Sequence, residues 1–311
     1  MDTYFIVNPA AGRGKALELL PEIEGEMQRR RLPYEIYLTK GRGDGEDFVR
    51  KLTAAHPERL RIFACGGDGT LHETINGAIG KNVEIGLFPV GTGNDFVRNF
   101  TEKEKFLSLG AQLEGTAKKL DLLRVSGRYC VNMVNIGFDC EVVAKAAQWK
   151  KRPLVHGPMA YFLAVGSLFF RPMGKTLAFR REGEEKQGKY LLCTFANGSF
   201  CGGAFCSSPY ARLDDGKMDA AFIGKVSRGE FLRLLPAYRK GAYLEKMAGR
   251  KELEYFTCDQ LELLAKRPQK VSLDGEIYHF RHLRLKMEKE AWTFLVPAGS
   301  QLMEKDRKEE T

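Results

Sequence analysis

Through the first third of the chain, short apolar runs alternate with segments whose apolar residues recur every three or four positions. TYFIVN (3–8) predicts a strand. Ala16, Leu19, Leu20, Ile23 and Met27 then fall at i, i+3, i+4, i+7 and i+11, one stripe of an amphipathic helix. YEIYLT (34–39) predicts the next strand, and Phe48, Val49 and Leu52 mark the helix after it. RIFAC (61–65) and VEIGLFPV (83–90) add two short buried strands. Strands that alternate with helices predict a parallel α/β sheet, with any ligand at the carboxyl ends of the strands.

The rhythm changes near Asp121. LDLLRVSGRYCVNMVNIGF (120–138) predicts two strands around Ser126-Gly127, and KTLAFRREGEEKQGKYLLCTFANG (175–198) a hairpin with a polar tip. MDAAFIGKV (218–226) and LRLKM (283–287) are further strands. The expected organisation is an α/β domain over 1–122, then a mainly antiparallel β domain over 123–291. Helical segments near 156–170 and 228–248 interrupt the second. WTFLVPAG returns the chain to the first domain, completing it over 292–303, and EKDRKEET (304–311) is a solvated tail.

Composition narrows the classes. With 43% hydrophobic and 29% charged residues among 311, the chain is globular rather than disordered and long enough for two cores. The longest apolar run, Met159 to Phe170, is interrupted by Gly166 and Ser167 and falls short of the roughly 18–20 residues needed to cross a bilayer. MDTYFIVNP lacks the basic start of a signal peptide. Seven cysteines without CxxC spacing predict reduced, buried thiols in a cytosolic protein. A net charge of +9 suits an anionic partner, or simply a soluble surface.

The candidate chemistry lies at three strand ends with glycine-rich loops: NPAAGRGKA (8–16), CGGDGTLHE (65–73) and PVGTGNDFVRN (89–99). In the middle loop, Thr70 and Glu73 have capping-box spacing, so Gly66 to Gly69 lead into a helix N-terminus that attracts phosphate. One such loop is often only a tight turn; three along one sheet edge predict a phosphate cradle. It is not a Walker loop, because Ala16 follows Lys15, and the protein-kinase H-R-D and D-F-G elements are missing. Asp68, Asp95 and Asp121 lie at or just beyond first-domain strands, and RLDDGKMD (212–219) and SLDGEIY (272–278) add turn-like carboxylates. Carboxylates and phosphates share a site when cations stand between them, a combination that favours magnesium.

With these motifs the chain resembles the diacylglycerol kinase catalytic-domain family, in particular the soluble bacterial lipid kinases related to sphingosine and ceramide kinases. NPAAGRGK, GGDGTLHETING, PVGTGNDFVR, NGSFCGG, SPYARLDDGKMD and DGE follow in the family's order, nearly end to end. GGDGT alone is shared with NAD kinases; TGNDF, DDGKMD and DGE point to lipid kinases. The resemblance implies a Rossmann-like α/β nucleotide domain, a β-sandwich acceptor domain and an active site between them. It implies that Thr39, Gly66, Gly67, Asp68, Gly69, Thr70, Thr92, Asn94 and Asp95 contact ATP. Asp68 and Asp121 would join an aspartate–water–Mg²⁺ network that reaches Asp215. The side chain of Asp215 and the carbonyls of Arg212 and Lys217 would hold the metal, and Glu276 would be the general base. His72, CGGAF (201–205) and FCSS (205–208) depart from the usual pattern without removing a carboxylate.

The implied activity is transfer of the γ-phosphate of ATP to a lipid alcohol, first among them diacylglycerol. Monoacylglycerol, a sphingoid base and undecaprenol are alternative acceptors; NAD kinase and a non-catalytic nucleotide- or lipid-binding protein are the rivals. Implied partners are ATP, the lipid alcohol and the anionic inner face of the membrane, met from the cytoplasm, with a homodimer as candidate assembly and no nucleic acid. MAYFLAVGSLFF (159–170) fits either the wall of an acyl-chain groove or, more simply, a buried core helix.

Overall fold

The computed structural model describes residues 1–149, 155, 158–171, 174–203 and 205–305. The chain divides into two compact units, one of Met1–Leu122 with Glu288–Glu304, the other of Leu123–Met287 with the residues from Lys305 onward.

The first unit is built on four parallel strands, β1 (Thr3–Val7), β2 (Tyr34–Leu38), β3 (Leu60–Gly66) and β4 (Val83–Pro89), in the order β4-β3-β1-β2. Thr293 and Phe294, near the end of the long strand Glu276–Val296, extend the sheet in parallel beside β4. β1 lies between β3 and β2, so the chain reverses its direction of travel across the sheet there. In open α/β sheets such a reversal opens a crevice beyond the carboxyl strand ends. Phe5, Phe63 and Phe88 fill the core between sheet and helices, with Phe5 stacked on Phe63 at 5.1 Å.

The first apolar stripe folds as two helices rather than one, Lys15–Glu18 and Leu20–Arg30, with Ala16, Ile23 and Met27 buried. Leu19 closes the first and opens the second. The sequence LP at 20–21 explains the break, because proline suits a first helical turn but not an interior.

The second unit is antiparallel. Strands Leu253–Cys258, Met218–Gly224, Glu184–Ala196, Met133–Gly137 and Gln260–Leu273 neighbour one another in that order, followed by Glu276–Val296. Lys175–Arg181 pairs with both Glu184–Ala196 and Gln260–Leu273, so the strands wrap around one apolar core. Phe179, Phe195, Phe222 and Phe256 lie in that core, with Phe179 stacked on Phe222 at 4.3 Å. The segment 120–138 makes three strands, not two. Ser126 (φ 47°) and Gly127 (φ 94°) turn Leu123–Val125 back on Arg128–Cys130, and Met133–Gly137 follows as a separate strand.

Four helices pack on the other face of this sheet: Phe138–Trp149, Pro158–Phe169, Arg228–Lys240 and Tyr243–Met247. The Tyr238 hydroxyl donates to Asp139 Oδ2, tying the third helix to the first. Lys305 is fixed as well, donating to Ser199 Oγ at 2.6 Å and to the Ala211 carbonyl at 3.0 Å. The rest of the tail, 306–311, lies outside the described residues.

Asp139 carries a pH signature. Removal from water pushes its carboxyl up from 3.8 to about 6, against the opposing hydrogen bond from Tyr238. A raised native pKa means the folded state holds the proton more tightly, so this contribution is full at acid pH and lost as pH rises through about 6. Asp139→Asn, which still accepts from Tyr238, should therefore raise the thermal midpoint at neutral pH. The gain should vanish below the ordinary carboxylate pKa of 3.8. A variant less stable than wild type at neutral pH would contradict this.

Candidate nucleotide and metal site

The three glycine-rich loops all leave the carboxyl edge of the parallel sheet. After β1, Asn8 donates from its backbone to the Cys65 carbonyl at 3.0 Å and from Nδ2 to Thr70 Oγ1 at 3.3 Å, joining the first loop to the second. Gly12 has φ 57°, and a Cβ there would stand 2.1 Å from the Val90 carbonyl oxygen, so the first loop also presses on the third. Only glycine fits that approach.

The second and third loops are joined through backbone. The amides of Val90 and Gly91 both donate to the Gly66 carbonyl, at 2.9 and 3.2 Å. A Cβ on Gly91 would meet Gly67 Cα at 2.4 Å. Asn94, at φ 51°, donates from Nδ2 to the carbonyls of Pro89 (2.7 Å) and Gly91 (3.0 Å) and so braces the third loop from inside. Thr92 at its tip is exposed, while Thr39, after β2, is half-buried and donates its amide to the Val7 carbonyl at 2.9 Å.

Asp68 opens the helix Asp68–Ala78, and its Oδ1 accepts from the Phe96 amide at 3.0 Å. A Cβ on Gly93 would lie 3.0 Å from Asp68 Oδ2 and 3.5 Å from Asp95 Oδ2, so both carboxylates face the same glycine. Asp95 is buried and paired with Arg98 Nε at 3.5 Å. Two carboxylates beside a helix N-terminus and a set of loop amides form a mixed field that suits an anion bound together with a cation.

The Thr70–Glu73 capping box does not form. Gly67 is the N-cap without any side-chain cap, and Glu73 Oε1 accepts from the Gly43 amide at 2.7 Å. Glu73 thus ties the loop after β2 to this helix. Asp121 is buried in the same unit; its Oδ1 accepts from the Glu290 amide at 2.8 Å and its carbonyl from Trp292 Nε1 at 3.3 Å.

In the second unit, Arg212 is exposed and Asp215 and Lys217 are half-buried. The Lys217 amide donates to Asp215 Oδ1 at 3.0 Å, and Gly216 at φ 69° lets the chain turn between them. One carboxylate and two neighbouring carbonyls are hard oxygen donors, a set that fits Mg²⁺ or Ca²⁺ and not a soft metal. Beyond this turn the buried Asp219 is bonded by the Tyr255 hydroxyl.

DGE (274–276) splits into two roles. Asp274 accepts from the amides of Val131 (2.8 Å), Asn132 (2.9 Å) and Met133 (3.1 Å) and from the Cys130 thiol at 3.0 Å, so it is a structural brace. Glu276, half-buried, is the first residue of the strand after the turn and pairs with Leu273. Asn8, Glu73 and Asp274 brace these loops in ways that motif spacing did not reveal, since their partners lie 30 to 144 residues away.

Comparison with known proteins places this geometry in a class. Residues 2–125 match the model described as diacylglycerol kinase catalytic domain, and residues 132–293 the YegS C-terminal NAD kinase beta sandwich-like domain. The chain belongs to the lipid kinases of the diacylglycerol kinase catalytic-domain family. Among its relatives is a probable lipid kinase YegS-like of Xanthomonas campestris, 29% identical over 88% of this chain and 90% of that one. A diacylglycerol kinase of Bacillus subtilis is 24% identical over 92% and 96%. The fold matches the crystal structure of a putative diacylglycerol kinase from Bacillus anthracis with a TM-score of 0.74, at 20% identity over 96% and 97% of the two chains.

The Gly67–Gly91 contact makes a sharp test of the loop geometry. Gly91→Ala must displace backbone and should cost about 1–3 kcal/mol, as overpacking does. Gly25→Ala, in the helix Leu20–Arg30 with nothing within 4 Å, should instead stabilise by about 0.5–1 kcal/mol. Urea titrations of both variants give the two signs; a neutral Gly91→Ala would refute the close approach.

Proposed function

We propose that this lipid kinase transfers the γ-phosphate of ATP to the hydroxyl of diacylglycerol, giving phosphatidic acid. The observation that carries the nucleotide half is the convergence of three glycine loops at one sheet edge, with Asp68 and Asp95 facing Gly93. Family membership and the relatives named diacylglycerol kinase support the acceptor.

In this reading the loop Gly66 to Thr70 and the N-terminus of the helix it opens bind the phosphates. Thr39, Thr92 and Asn94 line the nucleotide, with Asn94 also keeping its loop in shape. Asp215 with the carbonyls of Arg212 and Lys217 would hold Mg²⁺, whose charge would neutralise the phosphate oxygens, and Asp68 and Asp121 would be the further carboxylates of that network. Glu276 accepts the proton from the attacking hydroxyl. Phosphoryl transfer asks little covalent chemistry of a protein, so alignment and charge carry the rate. The protein works from the cytoplasm at the membrane that contains its acceptor.

The roles of Asp274 and Glu276 are separable. Asp274→Ala strands three amides and should cost about 3 kcal/mol or more in stability. Glu276→Gln keeps size and hydrogen bonding, so it should retain stability and ATP affinity while kcat falls roughly 10²–10⁴-fold. The assay is ATP-dependent phosphorylation of diacylglycerol, monoacylglycerol, a sphingoid base, undecaprenol and NAD, with products identified by mass spectrometry. Phosphorylation of NAD alone would refute the lipid reading, and wild-type kcat in Glu276→Gln would move the base elsewhere.

A further inference from the structure

The helix Pro158–Phe169 is apolar on both sides. Inward, Ala160 and Ala164 are buried in a cluster with Phe138, Val142 and Phe231. Outward, Met159, Phe162, Leu163 and Phe170 are 44%, 75%, 39% and 79% exposed. Their spacing of i, i+3, i+4 and i+11 makes one stripe, with exposed Gly166 at i+7. A helix apolar all round is ordinarily enclosed, and so the simpler expectation for this segment, a buried core helix, does not hold. An exposed stripe with two phenylalanines marks a contact surface.

The next helix continues the surface. Arg228 donates from Nε to the Phe169 carbonyl at 3.1 Å and from a terminal nitrogen to that of Phe170 at 3.5 Å, so the end of one helix abuts the start of the other. Arg228, Leu232, Pro236 and Arg239 follow along the exposed side of Arg228–Lys240, with Leu232 54% exposed. Between 225 and 240 the chain carries Lys225, Arg228, Arg233, Arg239 and Lys240 against one acid, Glu230. That acid is engaged by Arg250 at 2.5 Å. No acidic residue occurs from 158 to 171. An open cavity of about 650 Å³ at the same helix start is lined by Arg233, Lys246 and Arg250 with Glu230; Arg250 is paired with Glu230 and Glu252, so Arg233 and Lys246 give this lining its positive excess.

We infer that this face docks on an anionic lipid bilayer, its aromatic stripe entering the boundary between headgroups and acyl chains while the surrounding cations meet lipid phosphates. Apolar side chains bordered by cations, with the nearby acids Glu230 and Glu252 both paired to Arg250, match such an interface. A second copy fits less well, because a two-fold pairing would set the same cations against each other. The inference deepens the lipid-kinase reading and rests on it for the choice of a bilayer as occupant.

The test uses the full chain without ATP, co-sedimented with phosphatidylcholine vesicles with or without phosphatidylglycerol. Wild type should bind the phosphatidylglycerol vesicles more tightly and lose this preference at high salt. Phe162→Ser with Phe170→Ser should weaken binding about tenfold or more. Both side chains stand in water, so the thermal midpoint should hold. Phe162→Trp should shift its emission to the blue on the same vesicles. Undiminished binding by the double variant, or unshifted emission, overturns the inference. So does a wild-type dimer that the double variant dissociates, which would give the face to a second copy. A wild type that binds vesicles as described but phosphorylates no lipid alcohol would refute the kinase reading and leave the docking face supported.

Discussion

The site depends on how closely two loops approach. Gly67 and Gly91 meet backbone to backbone, with the Gly66 carbonyl taking the amides of both Val90 and Gly91. Because β3 and β4 are parallel neighbours in register, Gly66 opposite Pro89, their two exits emerge side by side. The absence of Cβ atoms lets them close. From that contact the rest follows: Asp68 starts its helix where Oδ1 can take the Phe96 amide, and Gly93 comes to lie against both Asp68 and Asp95. A phosphate cradle that contains carboxylates is a contradiction only without a cation. In the proposed site the acids would hold the cation and the loop amides the anion.

Periodicity made the first unit readable. Each parallel strand is a short buried run and each crossover helix has a stripe, so strand ends, and with them the glycine loops, could be placed from local pattern. The errors arose where a residue's partner is distant in sequence. Glu73 has the spacing of a capping box, yet it reaches across to the Gly43 amide, because Gly67 already begins the helix. Asp274 reads as a turn residue, but its carboxylate collects amides from 131 to 133.

The second unit was less legible for a related reason. Phe138–Trp149 carries small and apolar residues on several sides, with Cys140, Val142 and Ala146 buried, and shows no clean stripe against which a helix could be recognised. Pro158–Phe169 has the opposite ambiguity. Its uniform apolarity says helix but cannot say which face is covered, and the covered face proves to carry Ala160 and Ala164 while Phe162 is exposed. The motif DGE was located from the sequence, but the bracing role of Asp274 became visible only through its hydrogen bonds to the amides of 131 to 133.

If Asp68 acts through a cation rather than on the nucleotide directly, as proposed, the effect of removing its charge should change sign with Mg²⁺. Asp68→Asn keeps an oxygen acceptor for the Phe96 amide while removing the charge. Isothermal titration with ATP, with and without Mg²⁺, measures the consequence. With Mg²⁺ the variant should bind ATP more weakly than wild type, having lost a partner of the cation. Without Mg²⁺ it should bind at least as well as wild type, because a repulsive charge beside the phosphates is gone. Equal affinities with Mg²⁺, or weaker binding by the variant in its absence, would contradict the account.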